Sequence, residues 1–379
     1  MVQIDCDFPG GNVVFEGIEG DTVRVRQDQR DTLQYMWFYW YFRVRGAAGR
    51  KLRFEFSDPV VGVRGPGVSL DGGWSWRWLG AESGDERSFT YAFPVEPEEV
   101  RFSDGMPYTQ RNWERLVASC AGNPHLRPGT LCRSRKGRQV EWAEFGCIQR
   151  EPAHRVLLTT RHHCCEMMAS YALEGIIEAT LADDETGRWL RENVGFLAAP
   201  FADKDGVEDG DQGKGRDPHD HNRDYAAPCL YPEVQAIRQR AREWAGRGLR
   251  FHLDLHCPGI RGVHHEEIYF VGLPNLEAWS RAEAFAATLE RVARGPLPYR
   301  VRDNLPYGED WNTEGEPAPS GEYRDASDWM AALTQVWFGA TIEVPYANAL
   351  GAEVNAESAR AFGRDLATAI REHLATASA

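Results

Sequence analysis

The hydrophobic period changes part-way along the chain, and one architecture cannot serve two periods. Over roughly the first hundred residues, apolar side chains alternate or cluster in short aromatic-rich runs. These are Arg24-Val25-Arg26, Met36-Trp37-Phe38-Tyr39-Trp40-Tyr41-Phe42-Arg43-Val44 and Lys51-Leu52-Arg53-Phe54-Glu55-Phe56. Ala47-Ala48-Gly49 and Asp71-Gly72-Gly73 supply turn signals between them. Short strands punctuated this way predict an antiparallel β-sandwich. Further on, strands alternate with helical stripes. Val156-Leu157-Leu158-Thr159-Thr160 reads as a buried strand, Leu173, Ile176, Ile177 and Leu181 as a helical stripe, and Leu249, Phe251, Leu253 and Leu255 as an alternating strand. Surface helices are expected over 276–293 and 355–375, the last marked by Phe362, Leu366, Ile370 and Leu374, and a further helix over 328–337. Strand–helix alternation means an α/β domain. The boundary is placed near Pro107-Tyr108-Thr109, giving units of 1–108 and 109–379, and 379 residues are enough for both.

Composition narrows the partners. A formal net charge of −14 disfavours nucleic acid and anionic membrane surfaces. No apolar run reaches the ~20 residues that span a bilayer. The start, Met1-Val2-Gln3-Ile4-Asp5-Cys6-Asp7, has neither a basic region nor a long apolar one, so no signal peptide is expected. Eight cysteines, two of them adjacent at Cys164-Cys165, form no dense framework and no CxxC pair. They read as free thiols of a reducing cytoplasm rather than as a disulfide scaffold or a thiolate zinc ribbon.

Chemistry concentrates at strand ends. His163-Cys164-Cys165-Glu166 is an HxxE pattern where a buried strand gives way to a helix, a place that can aim imidazole and carboxylate at one metal ion. With 11 histidines, about one HxxE is expected by chance, and His264-His265-Glu266-Glu267 is a second. Only the first terminates an apolar strand. By itself it reads first as a surface histidine followed by a first-turn glutamate favoured by the helix dipole, and only second as a metal site. His256 ends the alternating strand Phe251-His252-Leu253-Asp254-Leu255-His256, where open α/β sheets bind ligands. Two imidazoles and one carboxylate leave a fourth zinc position for water, and Asp254 is placed to support His256 from behind. Glu343, in Thr341-Ile342-Glu343-Val344-Pro345, puts a carboxylate inside an apolar strand. It is either a general base or an edge-strand side chain facing solvent. Segment 203–224 is a long Gly/Asp-rich loop carrying Lys214, Arg216, Asn222 and Arg223. Asn222 with Arg223 can clamp a carboxylate. The loop's aspartates lack the ligand spacing of an EF-hand, which leaves calcium a minor option.

Taken in order, these residues resemble the M14 zinc metallocarboxypeptidase family, over most of 150–345: His163/Glu166, Pro200…Asp205-Gly206-Val207, Asp220-His221-Asn222-Arg223, Asp254-Leu255-His256 and Thr341-Ile342-Glu343. The N-terminal part, ending in Phe102…Met106-Pro107-Tyr108-Thr109, resembles the β-sandwich that precedes the catalytic domain in the cytosolic carboxypeptidase subfamily. The resemblance implies an α/β, carboxypeptidase-like mixed-sheet catalytic domain behind an antiparallel β-sandwich. It also implies one zinc ion on His163, Glu166 and His256, Glu343 as general base and acid, and a peptide or peptide-like substrate whose free C-terminal carboxylate is held by Asn222 and Arg223. Two positions depart from the pattern. Where the cytosolic relatives carry an Arg after a Gly-Asn pair to stabilise the oxyanion, this chain reads Gly210-Asp211-Gln212-Gly213-Lys214-Gly215-Arg216, with Lys214 the first substitute and Arg216 the second. The family's mobile tyrosine has only Tyr323 near the right distance from Glu343, and Ser327 is the candidate floor of the specificity pocket. The rivals are a zinc deacylase acting on N-acyl amino acids and a peptide-binding protein that has lost catalysis.

The ligand assignment makes a direct prediction. Elemental analysis of protein prepared without chelator returns one zinc per chain, and His163→Ala protein returns none.

Overall fold

A computed structural model describes residues 1–32, 37–226, 228–313, 323–334 and 336–377. The strands up to Ser103 form two five-stranded sheets. Their pairings are antiparallel except that Thr22–Arg26 runs parallel to Lys51–Phe56. Between the sheets, alternation in Lys51–Phe56 buries Leu52, Phe54 and Phe56 against Trp40, Phe42, Phe89 and Phe102. The rings lie close, with 4.8 Å between the centroids of Phe54 and Phe89 and 5.1 Å between those of Phe89 and Phe102. The aromatic run expected to be one strand from 36 to 44 is a strand only over Tyr41–Arg45; Met36 lies outside the described residues. The reason is a partner distant in sequence. The N–H groups of Phe38 and Tyr39 donate to the Gln212 side-chain oxygen at 3.0 and 2.9 Å instead of to a neighbouring strand.

A seven-stranded sheet follows. Four strands, Val194–Ala199, His154–Thr160, Leu249–His256 and Phe338–Glu343, run parallel at its centre. Gln139–Gly146 with Leu126–Arg133 on one edge, and Tyr269–Val271 on the other, pair antiparallel. Apolar residues of these strands face two layers. Val156, Leu158, Phe251, Leu253, Phe338 and Ile342 join the core with the helices Met167–Leu181, Leu276–Val292 and Ala356–Ala377. Leu157, Leu197 and Leu249 pack on the other side against Pro232–Ala245 and Ala326–Ala331. The helix expected over 328–337 is therefore shorter and starts earlier. Beyond Ala331 the sequence turns to Val336, Trp337 and Phe338, and Trp337 N–H donates to the Arg250 carbonyl at 2.8 Å, which leads the chain into the sheet. Among the described residues no helix is long and apolar enough to cross a membrane. All eight cysteines are free.

Met167–Leu181 was expected to show one apolar stripe, yet it is buried almost all round. It lies between the sheet, the helix Ala356–Ala377 and the segment carrying Met106 and Tyr108. Gly175 and Gly363 permit this. A Cβ on either would stand 2.0 Å from a carbonyl oxygen of the facing helix, Arg360 or Ala172. Alanine would gain about 1 kcal/mol of helix propensity at each position, but overpacking of this severity costs about 3 kcal/mol. Gly175→Ala and Gly363→Ala should each lower stability by about 2 kcal/mol in urea titrations, opposite in sign to the propensity change.

Candidate metal centre

Three parallel strands deliver chemistry to one end of the sheet. After Thr160 the chain turns at Arg161, whose φ is +63°. The Arg161 guanidinium is buried in the turn and donates to the carbonyls of Cys164 and Tyr108 at 2.8 Å each. Beyond it His162 and His163 head for different partners. Glu166 occupies the N-cap position of Met167–Leu181, where the helix dipole favours a carboxylate.

Glu166 is the hub. His163 Nδ1 lies 2.9 Å from Oε1, and His256 Nδ1 lies 2.8 Å from Oε2. Donor atoms of His163, Glu166 and His256 all fall within 4.8 Å of one another, and all three residues are buried. Although His256 Nδ1 is close to Glu166 Oε2, among the described residues that oxygen receives no hydrogen bond of good geometry. The two atoms meet as ligands of a common partner do, rather than as donor and acceptor. Each imidazole also turns its other nitrogen to a carboxylate, His163 Nε2 to Asp220 at 3.6 Å and His256 Nε2 to Asp254 at 2.8 Å. Carboxylates behind imidazoles fix ring orientation in metal sites. Two nitrogens and one oxygen form a donor set suited to zinc. Burial pushes the Glu166 carboxyl up, but Lys214, His163 and His256 override it and hold Glu166 well below its ordinary range.

Glu343 ends its strand opposite His256 in the parallel register and opposite Tyr269 in the antiparallel one. Its Oε2 is buried with no hydrogen-bond partner among the described residues. Burial first, then the charge of Glu166, raises its pKa. Lys214 reaches the centre: its Nζ is 2.8 Å from Glu166 Oε1 and donates to the Cys257 carbonyl at 3.0 Å. Arg216 does not. Its guanidinium is engaged by Asp203 at 2.7 Å, Asp211 at 2.9 Å and Asp31 at 3.4 Å. Burial pushes Asp203 up, yet Arg216 and His221 hold it below its usual range. Arg216 is a brace of the loop, and the loop's acids serve such braces rather than calcium: Asp205 and Asp209 pair with Arg138 at 2.8 and 2.6 Å.

Asn222 and Arg223 stand on the turn His221–Arg223, whose N–H groups at 222 and 223 are capped by Asp220 Oδ1 at 3.0 and 3.2 Å. Asn222 is buried and accepts from the Ala326 N–H at 3.1 Å. Tyr323 lies half-buried against the cluster containing Tyr225, Tyr231 and Trp329. Ser327 Oγ is 2.9 Å from Thr341 Oγ1, two residues before Glu343 on the same strand face. The second HxxE pattern is a local pair in a loop, with His264 Nδ1 3.3 Å from Glu267. Sequence reasoning missed Asp220, His162, Thr159 and Tyr225. Asp220 had a readable signal as a cap three residues before Arg223; the other three depend on strands distant in sequence.

No protein-family profile matches the sequence. Curated relatives do. Cytosolic carboxypeptidase 6 of Caenorhabditis elegans is 23% identical over 377 residues, covering 86% of this chain and 78% of that protein. Cytosolic carboxypeptidase 2 of Mus musculus is 24% identical over 221 residues, covering 54% of this chain. The chain is thus similar in sequence to cytosolic carboxypeptidases. Its match spans only 25% of the mouse relative's length. Among solved structures, a metallo-carboxypeptidase from Burkholderia cenocepacia shares the fold over 99% of this chain and 100% of its own, at a TM-score of 0.81 and 20% identity. A metallo-carboxypeptidase from Pseudomonas aeruginosa, in complex with (2-guanidinoethylmercapto)succinic acid, does so over 98% and 99%, at 0.79 and 20%. The similarity to these proteins points to a metal, and His163, Glu166 and His256 form a group that can hold one.

The bracing role of Arg216 separates it from the centre experimentally. Arg216→Met leaves the buried Asp203 without its arginine and Asp211 with Arg30 alone, and should cost about 3–5 kcal/mol in a denaturant titration. The protein that remains folded should bind added zinc as the wild type does.

Proposed function

We propose that this chain is a zinc-dependent carboxypeptidase that hydrolyses the C-terminal amide bond of a peptide or peptide-like substrate. The observation that carries the reading is two buried carboxylate oxygens that have no hydrogen-bond partner among the described residues, Glu166 Oε2 and Glu343 Oε2, on residues that flank His256. Leaving such atoms unsatisfied costs about 1–3 kcal/mol each, a cost that a ligand oxygen and a general base accept for their function. His163, Glu166 and His256 would hold the zinc ion, which when bound supplies a Lewis acid and an acidified water.

The chain's own residues supply the rest. Glu343 takes the proton of the attacking water and returns it to the leaving amine, and its raised pKa suits both transfers. Lys214, a cation already at the centre, stabilises the oxyanion that develops on the scissile carbonyl. Arg223 and Asn222 hold the terminal carboxylate, so that only a terminal residue reaches the centre. Tyr323 borders the same face of the sheet and remains the phenolic candidate there. Residues 1–108 act as a separate unit that carries no catalytic group but holds the loop bearing Lys214. Asn12 donates to the Gly210 carbonyl at 2.8 Å, and Gln212 accepts from Phe38 and Tyr39. The free thiols and the cytosolic carboxypeptidase relatives support a cytoplasmic location.

The two carboxylate-handling roles separate kinetically. Glu343 acts as the proton moves, so Glu343→Gln should lose mainly kcat, by about 10²–10⁴-fold, with zinc retained. Arg223 holds a charge that hardly changes during reaction, so Arg223→Ala should mainly raise KM. Peptides with an amidated C-terminus should reproduce that loss on the wild-type enzyme. Equal cleavage of amidated and free peptides would sink the exopeptidase assignment.

A further inference from the structure

Behind His256 lies a buried polar chain that the proposed reaction does not use. Asp254 is fully buried, and both of its oxygens are occupied. Oδ2 is 2.8 Å from His256 Nε2; Oδ1 is 2.8 Å from His162 Nδ1 and accepts from the Thr159 hydroxyl at 2.6 Å. On its far side, His162 Nε2 is 2.8 Å from the Tyr225 hydroxyl. Since Asp254 can only accept, His256 presents Nε2–H to it and His162 presents Nδ1–H. The remaining nitrogen of a neutral His162 is then an acceptor, and the Tyr225 O–H donates to it. The two imidazoles lie parallel, with centroids 5.9 Å and planes 6° apart, as expected of rings hung on one carboxylate.

We infer that His162 is a positioning residue for His256. It fixes the plane of the Asp254 carboxylate, which in turn fixes the His256 ring with its Nδ1 lone pair directed to the side of Glu166. Tyr225 anchors the chain of bonds, and it lies two residues beyond Arg223. The loop that carries the carboxylate clamp thus reaches both ligand imidazoles, His163 through Asp220 and His256 through Tyr225, His162 and Asp254. This inference rests on the zinc reading proposed above. A lone valine at 162 would pack there but would leave Asp254 Oδ1 to Thr159 alone and the carboxylate freer to rotate.

The test is zinc affinity of the full chain, measured by competition with a chromophoric chelator at fixed pH. His162→Val should bind zinc about ten- to a hundred-fold more weakly, the usual effect of losing a group that orients a ligand. His162→Asn places an N–H near the position of Nδ1, and should recover most of that loss although it packs worse than valine. Tyr225→Phe removes a single O–H and should weaken zinc at least two-fold; it carries the test where a His162 variant does not fold. Unchanged affinity in His162→Val or Tyr225→Phe overturns the inference, and so does an asparagine variant as weak as the valine one, which would mean a packing role. Two zinc ions in the wild type, one of them lost in His162→Val, overturns it too, because His162, Asp254 and His256 would then be ligands themselves. A wild-type chain that takes up no zinc overturns the functional reading together with this one, whereas normal zinc uptake with indifferent variants overturns this one alone.

Discussion

A carboxylate with no exposed surface has to be matched by positive charge or by a metal ion, because its desolvation costs several kcal/mol. Glu166 is such a group, and the elements around it are arranged accordingly. His163 comes from three residues earlier, His256 from the next parallel strand and Lys214 from the long loop. Each of these partners is then held from behind: His163 by Asp220, His256 by Asp254, and Lys214 by the Cys257 carbonyl. The sheet's parallel centre makes this possible, since neighbouring strands that run the same way bring their C-terminal ends to one place.

The segment 203–224, expected as one long loop, opens with a short helix, Lys204–Asp209, and the order of the rest comes from ion pairs and from the N-terminal sheets. Arg216 joins the buried Asp203 and Asp211 and reaches the exposed Asp31, and Lys204 pairs with Glu141 at 2.7 Å. Buried pairs of this kind are a weak source of net stability, but removing one member is costly. Their effect is to hold the backbone so that Lys214 and the Asp220–Arg223 turn face the centre. Contacts from Asn12, Phe38 and Tyr39 complete the support, which gives the β-sandwich a physical reason to accompany the catalytic sheet.

Elements whose formation is a local matter were legible. Lys51–Phe56 and Leu249–His256 alternate cleanly, and their alternation survives in the sheets because each buries one or both faces. Elements decided by distant partners were not. Phe38 and Tyr39 have every propensity for strand, yet their N–H groups are taken by Gln212. The stripe read in Met167–Leu181 underestimates its burial, because a periodic pattern records one packed face and says nothing of a second helix arriving at Gly175.

Sequence by itself determined the chemical inventory: an HxxE at a strand end, a histidine closing an alternating strand, a glutamate inside an apolar one, and an Asn-Arg pair in a long loop. Those follow from residue type and local period. Tertiary structure alone decided which of two loop cations serves the centre. Lys214 and Arg216 are two residues apart and equally charged, but only one of them points where Asp203 and Asp211 are not. It also decided that His162 belongs with His256 rather than with His163 beside it. Bonds to Asp254 and Tyr225 cross 92 and 63 residues of sequence, and no local pattern records a contact made by folding alone.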